Sequence, residues 1–122
     1  MKLRLLLWLM ASMYRRAITN NPAMRDYLQE VDKTIQFATD SQKVARYLRF
    51  ADQKLASEAK IDQQADLTVS FSDAKTGFAI LWAMATGKDK NAFMRGIQEK
   101  QLTVAGDPML LMWFQKSVKY LR

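Results

Sequence analysis

The hydrophobic positions change their period along the chain, and each change marks an element. Residues 3–14 are almost continuously apolar, with Lys2 and Arg4 at the head of the run and Arg15-Arg16 at its foot. That block predicts an amphipathic N-terminal helix over residues 1–19, which Asn20-Asn21-Pro22 stops. A short helical turn is expected over residues 24–30. The pattern then switches to period two. Ile35 and Phe37 alternate with Thr34, Gln36 and Ala38, as on a half-buried strand, and Asp40-Ser41-Gln42 supplies a turn. Residues 44–51 predict a second strand, and Leu55, Ser57, Ala59 and Ile61 alternating with Lys54, Ala56, Glu58 and Lys60 predict a third.

In the second half, Leu67, Val69 and Phe71 point one way and Thr68, Ser70 and Ser72 the other, the clearest strand of the chain. Ser72 or Asp73 then caps a helix whose Phe78, Leu81, Trp82 and Ala85 form a stripe at i, i+3, i+4 and i+7, ended by Gly87. Asp89 is the expected cap of a short helix bearing Phe93, Met94 and Ile97. Leu102 and Val104 mark a last strand closed by Gly106. Asp107-Pro108, an N-cap with proline at the first helical position, opens a terminal helix to Arg122. This order predicts an α+β fold: a mostly antiparallel sheet of about five strands covered by helices, in one domain over residues 1–122.

Charge sharpens the picture. The formal net charge is +7, and Lys2, Arg4, Arg15, Arg16, Lys116, Lys119 and Arg122 account for all of it, because residues 17–107 are neutral. Both basic ends are also the most apolar parts of the chain, with Trp8 among leucines at one and residues 109–114 at the other. Apolar surface with basic flanks suits an anionic lipid boundary, contacted by Lys2, Arg4, Trp8, Arg15, Arg16, Lys116 and Lys119. The same pattern also fits a helix packed on its own domain with solvated basic ends. The uncharged run at residues 5–14 is too short for a bilayer, which needs ~20 residues. It meets Met13, Tyr14 and Arg15-Arg16 where a secretory signal would end in small residues, so a retained helix is expected.

The chain contains no Cys and no His. That removes disulfides, zinc fingers, thiolate nucleophiles and Ser-His-Asp triads. Asp62 and Asp66 flank the start of a strand and Asp73 follows its end, which makes them turn acids and not a converging catalytic set. Thr86-Gly87-Lys88 lacks the earlier glycine of a phosphate loop, since Trp82 stands there, and calcium-loop spacing is absent. No catalysis, cofactor or metal site is expected. Arg46, Tyr47 and Arg49 are too little aromatic and basic interleaving for a nucleic-acid reader, so no nucleic-acid partner is expected. Soft, bulky side chains gather on the later helices: Phe78, Trp82, Met84, Phe93, Met94, Met109, Met112, Trp113 and Phe114. Composition favours an ordinary core, with a pocket for a flexible apolar ligand as the alternative.

Four segments shift that balance. Ala65-Asp66-Leu67-Thr68-Val69-Ser70-Phe71-Ser72-Asp73, Ala85-Thr86-Gly87-Lys88, Asn91-Ala92-Phe93-Met94-Arg95-Gly96 and Leu102-Thr103-Val104-Ala105-Gly106-Asp107 resemble the sterol carrier protein 2 family in order and spacing. The resemblance implies a curved sheet covered by helices around an apolar tunnel, here with an extra apolar N-terminal helix. It implies non-catalytic binding, transfer or presentation of a lipid: a fatty acyl chain, an isoprenoid quinone precursor of the kind handled by bacterial ubiquinone-biosynthesis accessory proteins, or a sterol-like molecule. Phe71, Phe78, Leu81, Trp82, Phe93, Met94, Met109, Met112 and Trp113 are the implied tunnel lining. Residues 97–100 lengthen the interval between Gly96 and Gly106 relative to the family pattern, and the strands between Lys33 and Ile61 lack the expected glycine-rich turns. The chain ends Tyr120-Leu121-Arg122 and not in the peroxisomal Ser-Lys-Leu, which counts against a sterol. A cytoplasmic protein, peripheral at the inner face of a membrane, is expected. The alternative function is a protein interaction module, whose apolar terminal helices bury against a partner or a second copy.

Overall fold

The computed structural model describes residues 2–89 and 91–121. Its elements are α1 (Lys2–Asn20), α2 (Pro22–Tyr27), β1 (Lys33–Thr39), β2 (Ala45–Ala51), β3 (Lys54–Glu58), β4 (Leu67–Phe71), α3 (Ala74–Ala85), α4 (Ala92–Gln98), β5 (Leu102–Gly106) and α5 (Pro108–Ser117), with a closing 3₁₀ turn at Val118–Leu121. The strands form one five-stranded sheet in the order β3-β2-β1-β4-β5. Three neighbouring pairs are antiparallel and β1 with β4 is parallel. This is the predicted helix-covered, mostly antiparallel sheet.

The order of strands explains the largest departure from the periodicity. β3 lies at one edge and β4 on the far side of β1, so residues 59–66 must cross β2 and β1 to connect them. The crossing segment covers the outer face of β1. There the amide of Asp62 donates to Gln36 Oε1 at 2.6 Å, and Gln36 Nε2 donates to Thr68 Oγ1 at 3.2 Å. β1 was expected to be half-buried, yet Thr34 through Thr39 are all buried. Its outward polar residues are satisfied by hydrogen bonds and not by water.

Local chemistry sets most boundaries where expected. Asp73 Oδ1 accepts from the amide of Thr76 at 2.7 Å and caps α3, while Asp107 Oδ1 accepts from Met109 at 2.9 Å and caps α5, with Pro108 at its first position. Gly87, with φ +76°, ends α3. Other boundaries differ. α2 begins at Pro22, where Asn21 Oδ1 accepts from Ala23, and it ends at Tyr27 instead of residue 30. β3 stops at Glu58, where the crossing segment leaves the sheet. α4 has Asn91 as its N-cap; Asp89, the expected cap, instead accepts from the Asn91 amide at 3.0 Å and forms an ion pair with Arg95. The terminal helix turns 3₁₀ at Val118, and its expected end at Arg122 lies outside the described residues.

Non-glycine residues make the turns between the first strands. Asp52 and Gln53, with φ of +55° and +58°, form the two-residue connection of β2 to β3, both in the left-handed region that such a hairpin needs. Gln42, with φ +61°, is the left-handed residue of the longer connection, residues 40–44, between β1 and β2.

The core lies between the sheet and the helices. Phe37, Phe71, Phe93, Phe114 and Tyr14 are fully buried. Phe114 sits at ring-centroid distances of 5.0 Å from Phe37 and 6.2 Å from both Tyr14 and Phe93. The Tyr14 hydroxyl lies 2.5 Å from Ser117 Oγ, and Ser117 Oγ donates to the Phe114 carbonyl at 2.6 Å. α1 and α5 are thereby joined by a polar link inside an aromatic cluster.

Candidate functional site

The inward stripe of α3 is one step out of phase with the expected one. Gly77, Ile80, Leu81 and Met84 are buried, whereas Phe78 is half-buried and Trp82 is 44% exposed. Gly77 sets the phase: a Cβ there would stand 2.9 Å from the Phe71 ring and 3.2 Å from Leu3. The missing side chain lets α3 lie directly on β4 and α1. Phe78 and Trp82 are left stacked on each other, 5.8 Å apart and 13° from parallel, on the outer side.

The nine expected tunnel residues therefore do not share one lining. Phe71, Leu81 and Phe93 are fully buried in the aromatic core. Trp113 is half-buried, edge-on to Phe50 at 5.2 Å and stacked on Tyr27 at 5.2 Å, with its carbonyl accepting from the Tyr27 hydroxyl. Trp82, Met94, Met109 and Met112 are exposed, Met109 to 70%. Each helix buries the stripe that faces the sheet, and these four side chains project from the opposite sides.

Among the described residues, two apolar grooves take members of the expected set. One, of about 420 Å³, runs between the start of α1 and the start of α3 and is lined by Lys2, Leu3, Ala74, Lys75, Phe78 and Ala79. Lys2 Nζ lies 5.8 Å from the centre of the Phe78 ring, so a cation stands at the mouth of an apolar slot. The second, of about 270 Å³, lies beside the start of α5 and includes Met109, Leu110 and Trp113.

The outer face of α1 carries the strongest exposed apolar signal. Leu5, Trp8 and Leu9, at i, i+3 and i+4, are all exposed, Trp8 to 52%, opposite the buried stripe of Leu3, Leu7, Met10 and Tyr14. Lys2, Arg4, Arg15 and Arg16 are exposed around it. Arg16 shares a shallow cavity with Tyr120 and Leu121, so the basic foot of α1 adjoins the end of the chain, where Lys116 and Lys119 are also exposed. No helix among the described residues is long and apolar enough to cross a membrane.

The acids are engaged by the backbone. Asp66 Oδ2 accepts from the amide of Thr34, Asp62 Oδ1 from Gln64 and Asp73 Oδ1 from Thr76. The hydrogen bonds from Thr76 hold the exposed Asp73 carboxyl below its usual range. Among the described residues no three acids converge on a metal-binding position. Arg46 and Arg49 lie on opposite faces of β2, paired with Phe37 and Thr34 respectively, so the one aromatic and basic run is divided by the sheet.

A different set of residues is gathered beyond anything local spacing could show. Arg4, Lys43, Arg46 and Lys60 line the same cavity of about 520 Å³, beside Leu7, Val44 and Ile61. Arg46 stands in phase with the buried Leu48 and Phe50 of β2, where alternation calls for an apolar residue. That break in phase was the one trace of this site in the sequence. Burial, and secondarily the charge of Arg15, hold the Arg46 guanidinium below its usual range.

The fold has solved relatives. The UbiJ-SCP2 ubiquinone synthesis protein matches over 97% of this chain and 96% of its own, at 16% identity and a TM-score of 0.72. Sterol carrier protein 2 from Yarrowia lipolytica, in its apo form, matches over 92% of this chain and 88% of its own, at 16% identity and a TM-score of 0.63. Part of the sec-alkylsulfatase Pisa1 from Pseudomonas sp. matches over 75% of this chain and 14% of that much longer one, at 20% identity and a TM-score of 0.58. No curated protein matches the sequence significantly. The model of the SCP-2 sterol transfer family matches residues 14–119, from the middle of α1 to the closing turn. With its sheet order, its helical cover and that match over most of its length, the chain belongs to the SCP-2 sterol transfer family.

Proposed function

We propose that residues 1–122 act as one non-catalytic lipid-binding unit, which takes up a hydrophobic guest through the groove between α1 and α3 while the outer face of α1 rests on an anionic membrane. The observation that carries this reading is adjacency. The exposed stripe Leu5, Trp8 and Leu9, ringed by basic residues, lies on the same helix whose first residues, Lys2 and Leu3, wall the Phe78 groove. A guest leaving a bilayer passes from one apolar surface to the next with little exposure to water, which is the costly step for a lipid. Family membership supports lipid as the class of guest, and the ubiquinone synthesis relative supports an isoprenoid quinone precursor among the fatty acyl, isoprenoid and sterol-like candidates. The lack of His and Cys, with Asp62, Asp66 and Asp73 committed to backbone amides, supports a binding and not a catalytic role. This reading places the protein in the cytoplasm, peripheral at the inner membrane face.

Co-sedimentation with phosphatidylglycerol vesicles, phosphatidylcholine vesicles and a DNA competitor tests the membrane part. Each basic residue near an anionic surface is worth ~1 kcal/mol, and screening shortens its reach to about 10 Å at 0.1 M salt. Binding should favour the anionic vesicles and weaken as salt rises. Equal binding to both vesicle types contradicts the electrostatic part, and preference for DNA contradicts the membrane altogether. A second reading, an interaction module, draws on the exposed Met109 and Met112 of α5. Native mass spectrometry showing dimers and no bound lipid would favour it.

A further inference from the structure

We infer that the cavity between α1, the β1–β2 turn and the exit of β3 is a second, separate binding site, for a phosphate-headed amphiphile. It goes beyond the membrane reading and does not depend on it. The cavity measures about 520 Å³, and its four cations, Arg4, Lys43, Arg46 and Lys60, come with no acidic residue in the lining. Among the described residues the ion pairs are Arg49 with Asp32, Lys60 with Glu58 and Arg95 with Asp89, so Arg4, Lys43 and Arg46 have no carboxylate partner. Both guanidinium groups are nonetheless held in place by neutral acceptors. Arg4 donates to the Lys43 carbonyl at 2.7 Å, and Arg46 to Ser57 Oγ at 3.0 Å. The remaining N–H groups of each fork are pre-positioned for an anion, which lowers the ordering cost of binding.

The charge selects the head group. A single carboxylate neutralises one of the three unpartnered cations. A phosphomonoester carries about −1.5 to −2 charges and three acceptor oxygens, and it engages two arginine forks at once. The apolar part of the site selects an attached chain, because Ala45, Ala59 and Ile61 line the cavity and are not fully buried, above the buried Leu7 and Val44. The volume falls in the range of small-molecule sites, roughly 300–1,000 Å³. The inward phase of Arg46 on β2 is what brings charge to the helical side of the sheet.

The test titrates dodecyl phosphate, below its micelle concentration, into the full chain at low salt and follows backbone amide shifts by NMR. Inorganic phosphate and uncharged dodecyl maltoside serve as the other probes. Saturable shifts should centre on Lys43, Val44 and Lys60. The double variant Lys43→Gln, Arg46→Gln should bind about tenfold or more weakly, the loss of at least one charge-assisted contact. Lys88→Gln with Lys100→Gln removes the same charge at exposed positions outside both linings and should leave the affinity unchanged. The amide spectrum of each variant verifies the fold, and if Arg46→Gln unfolds the chain, Lys43→Gln alone carries the comparison. Equal affinity in the two double variants overturns the proposal, as do shifts confined to the Phe78 groove. Inorganic phosphate or the maltoside binding as tightly as dodecyl phosphate also overturns it. If dodecyl phosphate does not bind while the Lys43→Gln, Arg46→Gln variant loses affinity for phosphatidylglycerol vesicles, the cations serve the bilayer surface and the proposal fails. A Trp8→Ser variant that loses vesicle binding and retains dodecyl phosphate keeps this site distinct from the membrane reading.

Discussion

The aromatic interior and the outer face of α1 are built from similar side chains and put them to opposite use. Around Phe114, the rings of Tyr14, Phe37 and Phe93 are closed against one another with no charge among them. On α1, Leu5, Trp8 and Leu9 stay in solvent among Lys2, Arg4, Arg15 and Arg16. Burial completes the first cluster, and only an external apolar phase can complete the second. The comparison separates residues that hold the fold from residues available to a guest.

Replacing an interior ring should have the largest effect. Phe114→Ala should cost ~3–5 kcal/mol in denaturant unfolding, as deletion of a fully packed aromatic does. A cost below about 1 kcal/mol would mean that the interior already contains room for a guest, and the two regions would no longer differ in kind. Gly106→Ala comes next. Gly106 has φ +115°, and a Cβ there would stand 2.2 Å from the Asp66 carbonyl oxygen. The backbone conformation alone predicts a loss of ~1–3 kcal/mol in the same measurement.

Tyr14→Phe should cost ~1 kcal/mol near neutral pH, the usual worth of one hydrogen bond, because Ser117 keeps its bond to the Phe114 carbonyl. Burial pushes the Tyr14 phenol well above its ordinary value of 10.0. The folded state therefore binds this proton more tightly than the unfolded state. Its contribution is complete below pH 10.0 and falls as the pH rises above it, where the unfolded chain ionises first. Tyr14→Phe should remove that part of the alkaline loss, so the gap between variant and wild type narrows above pH 10.0. A gap that stays constant would contradict the buried assignment. Smallest in stability is the pair Leu5→Ser, Trp8→Ser, expected within about 0.5 kcal/mol of wild type, while binding to phosphatidylglycerol vesicles falls sharply. A large destabilisation would instead show that these side chains belong to the core.

What the sequence made legible followed from local chemistry. Asp73 and Asp107-Pro108 marked helix starts because a cap acts within three residues, and Leu67, Val69 and Phe71 marked β4 because alternation is local. The buried outer face of β1 was not legible, since it depends on residues 59–66 crossing the sheet. Nor was the phase of α3, because hydrophobic counting gives no weight to Gly77, the residue that settles it. The same limit governed the sites. Phe78 lines a groove although its expected stripe is displaced by one position, and Trp82 is turned outward with it. Arg4, the neighbouring pair Lys43 and Arg46, and Lys60 come from three separated segments of the chain and meet only through the fold.

The central claim, that a lipid chain enters between α1 and α3, is tested most directly by titrating a fluorescent fatty acid into delipidated protein and into Ala79→Trp. Ala79 is exposed and lines the Phe78 groove, so the new ring fills the slot without disturbing the core. The account predicts saturable binding to the wild type and its loss in Ala79→Trp at unchanged thermal stability. No binding to the wild type, or equal binding to both proteins, would contradict it.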